Sequence, residues 1–161
     1  MATAPKQGET LLLLGETTGH LGQSALLKEK FNREDGDAPH VDLDAERAAG
    51  EFVMYMNSSD LITAAHDIAD GGLAVALAEM ALAGNVGISA TAGDTGYWFG
   101  EDQGRYVLST SDPDAVLAKA KDLPIQIIGT VTDGGLKLGE EVISLDEIRD
   151  VYETALPAAV A

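Results

Sequence analysis

A chain of 161 residues, 45% of them hydrophobic, is long enough for one domain with its own core and too apolar to be disordered. Its 10 Lys and Arg against 27 Asp and Glu give a formal charge of −17, which excludes broad contact with a nucleic-acid backbone or an anionic membrane. Cysteine is absent, so disulfides, thiolate metal sites and a cysteine nucleophile are excluded as well.

The first nine residues, MATAPKQGE, form a polar lead with neither the basic start nor the apolar run of a secretion signal. They give way abruptly at Thr10–Leu14 to a continuous apolar run, which predicts a strand buried on both faces and points to a chain cut from a longer polypeptide. A turn punctuated by Gly15, Gly19 and Gly22 leads to a helix ending near Phe31, and NREDGDAPHVD follows as a polar loop. Ala45, Ala48, Ala49, Phe52, Val53 and Met56 recur at helical spacing, so residues 44–57 are predicted helical, with Asp42 or Asp44 as the cap. A strand is predicted over 61–65 and a helix over 72–82, whose small residues Ala74, Ala76, Ala78, Ala81 and Ala83 let it lie close to a sheet until Gly84-Asn85 ends it.

Further strands are predicted over 86–91 and along GRYVLST, and Ser111-Asp112-Pro113 opens a helix with Pro where its missing N–H costs nothing. A β-branched strand over 125–131 is expected to turn back through Thr132-Asp133-Gly134-Gly135 onto residues 136–138 as a hairpin. A short strand around Val142 and Ile143 follows, and the Ser144 to Glu147 capping box opens a last helix over 145–156. The resulting fold class is α+β, a mixed β-sheet with helices packed on it. No run reaches the roughly 18–20 apolar residues that span a bilayer, so a soluble, cytoplasmic protein is expected.

The chemistry is concentrated between Thr63 and Ala83, where a strand ends in His-Asp and turns through Asp70-Gly71-Gly72 into an alanine-rich helix. Two glycines permit a tight turn and a close approach to a ligand, and the helix start presents unpaired N–H groups, so an anion such as phosphate fits there. Read without a ligand, Asp70 simply caps the helix and the glycines make an ordinary turn. On so acidic a chain, a phosphate must be held locally, by main-chain N–H groups, a divalent cation or a basic side chain such as Arg47 or Arg105.

The Gly15–Ser24 segment has three glycines and three hydroxyls but neither the Walker lysine nor dinucleotide spacing. Glu16, Asp35, Asp37, Asp42 and Asp44 lack EF-hand spacing and read as a solvated acidic loop. His20, His40 and His66 are too scattered to hold a metal, and His66 reads as a structural hydrogen-bonding residue.

Four segments carry a family resemblance, in order and over most of the chain: LLLLGETTGHLGQSALLKE, PHVDLDAERAAGEFV, TAAHDIADGGLAVALAEMALAG, and FGEDQGRYVL with IGTVTDGG. They resemble the C-terminal domain of the phosphoribosylformylglycinamidine synthase large subunit, in the aminoimidazole-ribonucleotide synthase-related superfamily. The central segment is similar to stretches of aminoimidazole-ribonucleotide synthases, thiamine-phosphate kinases and hydrogenase maturation proteins, while GHLGQS and EDQGRYV narrow the choice. The resemblance implies residues 10–161 as a single C-terminal synthase-type domain of an ATP-dependent ligase in purine biosynthesis. That ligase converts formylglycinamide ribonucleotide to its amidine with glutamine-derived ammonia, releasing ADP and phosphate.

It further implies ATP and Mg in the full enzyme, with the N-terminal remainder of the same enzyme, a glutaminase subunit and a small accessory subunit as partners. The family's catalytic and metal-holding residues lie mainly in the N-terminal domains, so this chain is expected to contribute no catalytic residue or metal ligand and to be inactive alone. In the family's first half, a glycine-rich turn and a Glu-Ser-Gln segment contact substrate. The matching places here are Asp70, Gly71 and Gly72, and Glu101 and Gln103, as candidates for substrate or phosphate binding. Asp102 departs from that pattern and adds a negative charge, which favours a structural or nucleotide-holding role. The alternative expectation is a stand-alone nucleotide-binding or interaction module of the same fold.

Overall fold

The computed structural model describes residues 4–91 and 93–160. Among them the elements run β1 (Thr10–Leu14), α1 (Ala25–Phe31), α2 (Leu43–Ser58), β2 (Ala64–Asp67), α3 (Gly72–Gly84), β3 (Gly87–Ala90), α4 (Thr95–Phe99), β4 (Tyr106–Thr110), α5 (Pro113–Ala120), β5 (Ile125–Thr132), β6 (Leu136–Leu138), β7 (Glu141–Ile143) and α6 (Leu145–Val160).

The consecutive leucines of β1 alternate between the faces of the sheet, and all four are fully buried. Leu11 and Leu13 meet Leu73, Leu77 and Met80 of α3 and Trp98 of α4, with Leu145 and Ile148 of α6 at the edge. Leu12 and Leu14 face Phe52, Val53 and Met56 of α2 and Val116 of α5. Each such leucine contributes about 2 kcal/mol by burial, so β1 is the spine of both cores. The sheet is mixed, in the order β2-β4-β1-β5-β3-β6-β7, with helices on both faces, which is the expected α+β class.

Capping explains most helix starts. Asp42 accepts from the N–H groups of Asp44 and Ala45, Asp112 from Ala115, and Ser144 exchanges hydrogen bonds with Glu147 as a capping box. Asn85 ends α3 in the left-handed conformation, with φ +49°.

Two expectations need correction, and one helix was not anticipated. The strand expected over 61–65 lies at Ala64–Asp67, because His66 and Asp67 continue the ladder opposite Val107 and Tyr106. Residues 95–99 form a helix, α4, capped by Asp94 on the N–H of Tyr97. The hairpin expected between residues 125–131 and 136–138 does not form: β3 lies between β5 and β6, antiparallel to the first and parallel to the second. Gly87 makes that insertion feasible, since a Cβ there would lie 2.4 Å from Gly134 O and 2.5 Å from Gly134 N.

The registers Leu14↔Tyr106, Leu14↔Ile125 and Asp67↔Tyr106 bring the ends of β1 and β2 and the starts of β4 and β5 to one end of the sheet. At the opposite end, Glu9 is buried, and its Oε2 accepts from Lys6 N, Thr63 Oγ1 and Ser109 Oγ at 2.9, 2.6 and 2.7 Å.

Candidate functional site

The Asp-Gly-Gly turn leaves β2 at the first of these sheet ends. Gly71 is the N-cap of α3, at φ +81°, and no side chain caps the helix locally, so the capping role read for Asp70 is not what the structure adopts. The Gly71 N–H instead donates to Glu101 Oε1 at 2.8 Å, and the same oxygen accepts the N–H of Ala25, the first residue of α1, at 2.8 Å. Gly72, at φ +68°, donates to Ala69 O at 3.0 Å. A Cβ on Gly72 would lie 2.7 Å from Gly100 O and 2.8 Å from Trp98 O, so this glycine seats α3 against the end of α4.

The neighbouring carboxylate turns inward. Asp102 is buried and accepts from the N–H groups of Thr18 and Gly19 at 3.1 and 3.0 Å and from the Thr18 hydroxyl. Burial pushes its carboxyl up, but the bonds from Thr18 and Gly19 and the charge of Arg105 outweigh that and hold it below the usual carboxylate range. The negative charge that distinguishes EDQ from Glu-Ser-Gln is therefore spent on the Gly15–Ser24 loop.

Arg105, suggested by the sequence as a phosphate ligand, is 1% exposed and donates to Asp102 O, Thr17 Oγ1 and Gly100 O. Burial pulls its guanidinium below the ordinary value, with Asp102 and Tyr97 opposing. Its donors are committed inside the fold, and Arg47, the other candidate, is exposed on α2.

Two clefts adjoin at this end. One, of about 400 Å³, is lined by Asp70, Glu101 and Gln103 together with Glu46, Asp67 and Tyr106. The other, of about 450 Å³, lies between the Gly15–Ser24 loop and α2 and shares Glu46, Gln103 and Gly104 with the first. Asp70, Glu101 and Gln103 thus line one cleft, while Gly71 and Gly72 form the turn behind Asp70. Gln103 is exposed and its Nε2 donates to Glu101 O at 3.2 Å.

The first cleft carries four carboxylates, Glu46, Asp67, Asp70 and Glu101, against one cation on its lining, the buried Arg105. Burial, then the charges of Glu46 and Asp67, raise the Tyr106 phenol above its ordinary value. Sequence reasoning missed Glu46 and Tyr106; each reads locally as an ordinary helix-start acid or strand aromatic, and only the packing of α2 and the pairing of β4 bring them to the cleft. His66 stands apart, with Nε2 3.2 Å from Glu79 Oε2 and Nδ1 2.6 Å from Asp67 O, a structural arrangement. Among the described residues no group of three or more His, Asp or Glu is arranged to hold a metal ion.

A mixed sheet between helices, with glycine-rich turns and a Glu-Asp-Gln segment meeting at one sheet end, defines an α+β domain with a cleft at the end of its sheet. Residues 6–139 match the family model described as AIR synthase related protein, C-terminal domain, and the chain belongs to that family.

Within it, the chain is 46% identical over 160 residues to the phosphoribosylformylglycinamidine synthase subunit PurL of Ruegeria sp., covering 97% of this chain and 22% of that protein. It is 45% identical over 165 residues to the PurL of Jannaschia sp., covering 100% of this chain and 23% of that protein. The chain therefore spans less than a quarter of the curated relatives it matches.

Among solved structures, the T. maritima PurL complexed with FGAR superposes with TM-score 0.71 at 19% identity, covering 91% of this chain and 29% of that one. The T. maritima PurL complexed with ATP gives TM-score 0.69 at 17% identity, covering 91% and 26%. The PurLQS structure from T. maritima gives 0.64 at 19% identity, covering 88% and 25%. These likenesses establish the fold.

Proposed function

We propose that this chain is the C-terminal domain, residues 10–161, of a phosphoribosylformylglycinamidine synthase large subunit. It supports an active site in which ATP activates the formyl amide oxygen of formylglycinamide ribonucleotide and ammonia displaces it, giving the amidine, ADP and phosphate. The observation that carries this reading is 46% identity to a PurL subunit over 97% of the chain.

The likeness in fold to PurL complexed with FGAR and with ATP supports a place for substrate or nucleotide beside this domain. In this reading Asp70, Glu101 and Gln103 line the ligand cleft, and Gly71 and Gly72 build the turn behind it. Four carboxylates on the cleft oppose a bare phosphate, whereas ribose hydroxyls and amide groups find acceptors in Asp70 and acceptors and donors in Gln103. In this reading the cation that accompanies ATP is held by the remainder of the enzyme. Glutamine-derived ammonia comes from a partner glutaminase subunit, with a small accessory subunit in the assembly, in the cytoplasm.

The test is deletion of residues 10–161 from the full-length large subunit. Loss of ammonia- and ATP-dependent amidine formation is expected, and retention of full activity overturns the reading. Binding of ATP by the isolated chain, with no requirement for the remainder, would favour a stand-alone nucleotide-binding module instead.

A further inference from the structure

One carboxylate oxygen serves two turns at once. Glu101 Oε1 accepts the N–H of Ala25 at the start of α1 and that of Gly71 at the start of α3, each at 2.8 Å. Both donors belong to helix starts, whose free N–H groups and positive dipole ends attract anions. Glu101 supplies that anion from within the chain.

The same segment fastens the first turn at further points. Glu101 N donates to His20 O at 2.9 Å, and Asp102 accepts from Thr18 and Gly19. Arg105 braces the segment through Gly100 O, Asp102 O and Thr17 Oγ1. Asp102 thus ties one turn only, whereas Glu101 ties both.

From this geometry we infer that Glu101 is a positioning residue: it locks the Gly15–Ala25 loop to the Asp70–Gly72 turn and so fixes the shape of the cleft that Asp70 and Gln103 line. An external phosphate has no claim on the Gly71 N–H while Glu101 holds it. The role is exercised through the two turns.

The kinetic part of the test rests on the synthase reading, and the exchange part does not. In the full-length enzyme, Glu101→Ala is expected to raise KM for formylglycinamide ribonucleotide or ATP at least tenfold while kcat stays within threefold. Glu101→Gln keeps an oxygen that accepts both N–H groups and is expected to recover most of that loss. Hydrogen exchange read by mass spectrometry is expected to quicken in peptides covering both 15–25 and 69–73 in Glu101→Ala, and only in 15–25 in Asp102→Asn.

Unchanged KM with unchanged exchange overturns the inference, as does a fall in kcat with KM unchanged. Should Glu101→Ala fail to fold, the wild-type enzyme decides: slow exchange in both peptides is required, and fast exchange in either overturns it. A wild-type enzyme without ammonia-dependent synthesis overturns the synthase reading alone and leaves the exchange result to judge the positioning role.

Discussion

Each end of the sheet carries a carboxylate that joins separate segments, yet the two are built differently. Glu9 is buried and accepts from two hydroxyls and a main-chain N–H, so its bonds tie chain segments inside the fold. Glu101 accepts from two main-chain N–H groups of glycine-rich turns, and it lines an acidic cleft. The same chemical group therefore stitches strands at one end and shapes a recess at the other. What separates the two roles is that the Glu9 donors lie at and beside the ends of the strands, whereas the Glu101 donors are helix starts.

Four substitutions probe this contrast. The largest effect is expected from Gly72→Val, which drives side-chain atoms into the main chain at Trp98–Gly100 at a positive φ. It should cost about 4 kcal/mol or more, or abolish folding, as read by chemical denaturation. Glu9→Ala strands the Ser109 hydroxyl, leaves Thr63 only its bond to Ser109 O, and should cost about 1–3 kcal/mol in the same assay while leaving amide exchange in 15–25 and 69–73 unchanged. If those cleft peptides also quicken, the two ends are coupled and the comparison fails.

Asp102→Asn should cost about 1–2 kcal/mol at neutral pH. Because the folded carboxyl of Asp102 is held below its unfolded value, its stabilisation is present above the unfolded pKa of about 3.9 and is lost as pH falls through the lower, folded one. The wild-type and Asp102→Asn stabilities should therefore converge as pH falls below about 4, and denaturation midpoints that stay parallel to pH 3 would contradict this assignment. The smallest effect is expected from His66→Ala: the partly exposed contact with Glu79 is worth about 0–1 kcal/mol, and activity of the full enzyme should change modestly. A loss of several orders of magnitude with the fold intact would move His66 into the reacting site.

Much of the local structure was legible in the sequence because its signals are local. Four leucines in a row marked a strand buried on both faces, Ser144 and Glu147 marked a helix start, and Gly84-Asn85 marked a helix end. Glu101 and Gln103 were singled out through the family resemblance, and the Asp70 turn through its two glycines. Helix α4 escaped because it is five residues long and contains Gly96, although Asp94 three residues before Tyr97 was a capping signal.

The order of strands had no such local signature. Nothing in Gly87–Ala90 announces that it will enter between two later strands, and nothing around Glu9 announces Thr63 and Ser109 as its partners. Asp102 read as a charge added to a binding segment; its true neighbours, Thr18 and Gly19, are more than 80 positions away.

The insertion of β3 also bears on how the chain reaches its fold. Three residues separate β5 from β6, so chain proximity makes them the pair that meets first. In the native sheet they never touch as neighbours, because β3, made some 40 residues earlier, occupies the space between them. A hairpin formed early between β5 and β6 would therefore have to open before β3 could dock between them. The final place of β3 depends on the bare main chain at Gly87 beside Gly134, so a side chain there would weaken the folded sheet.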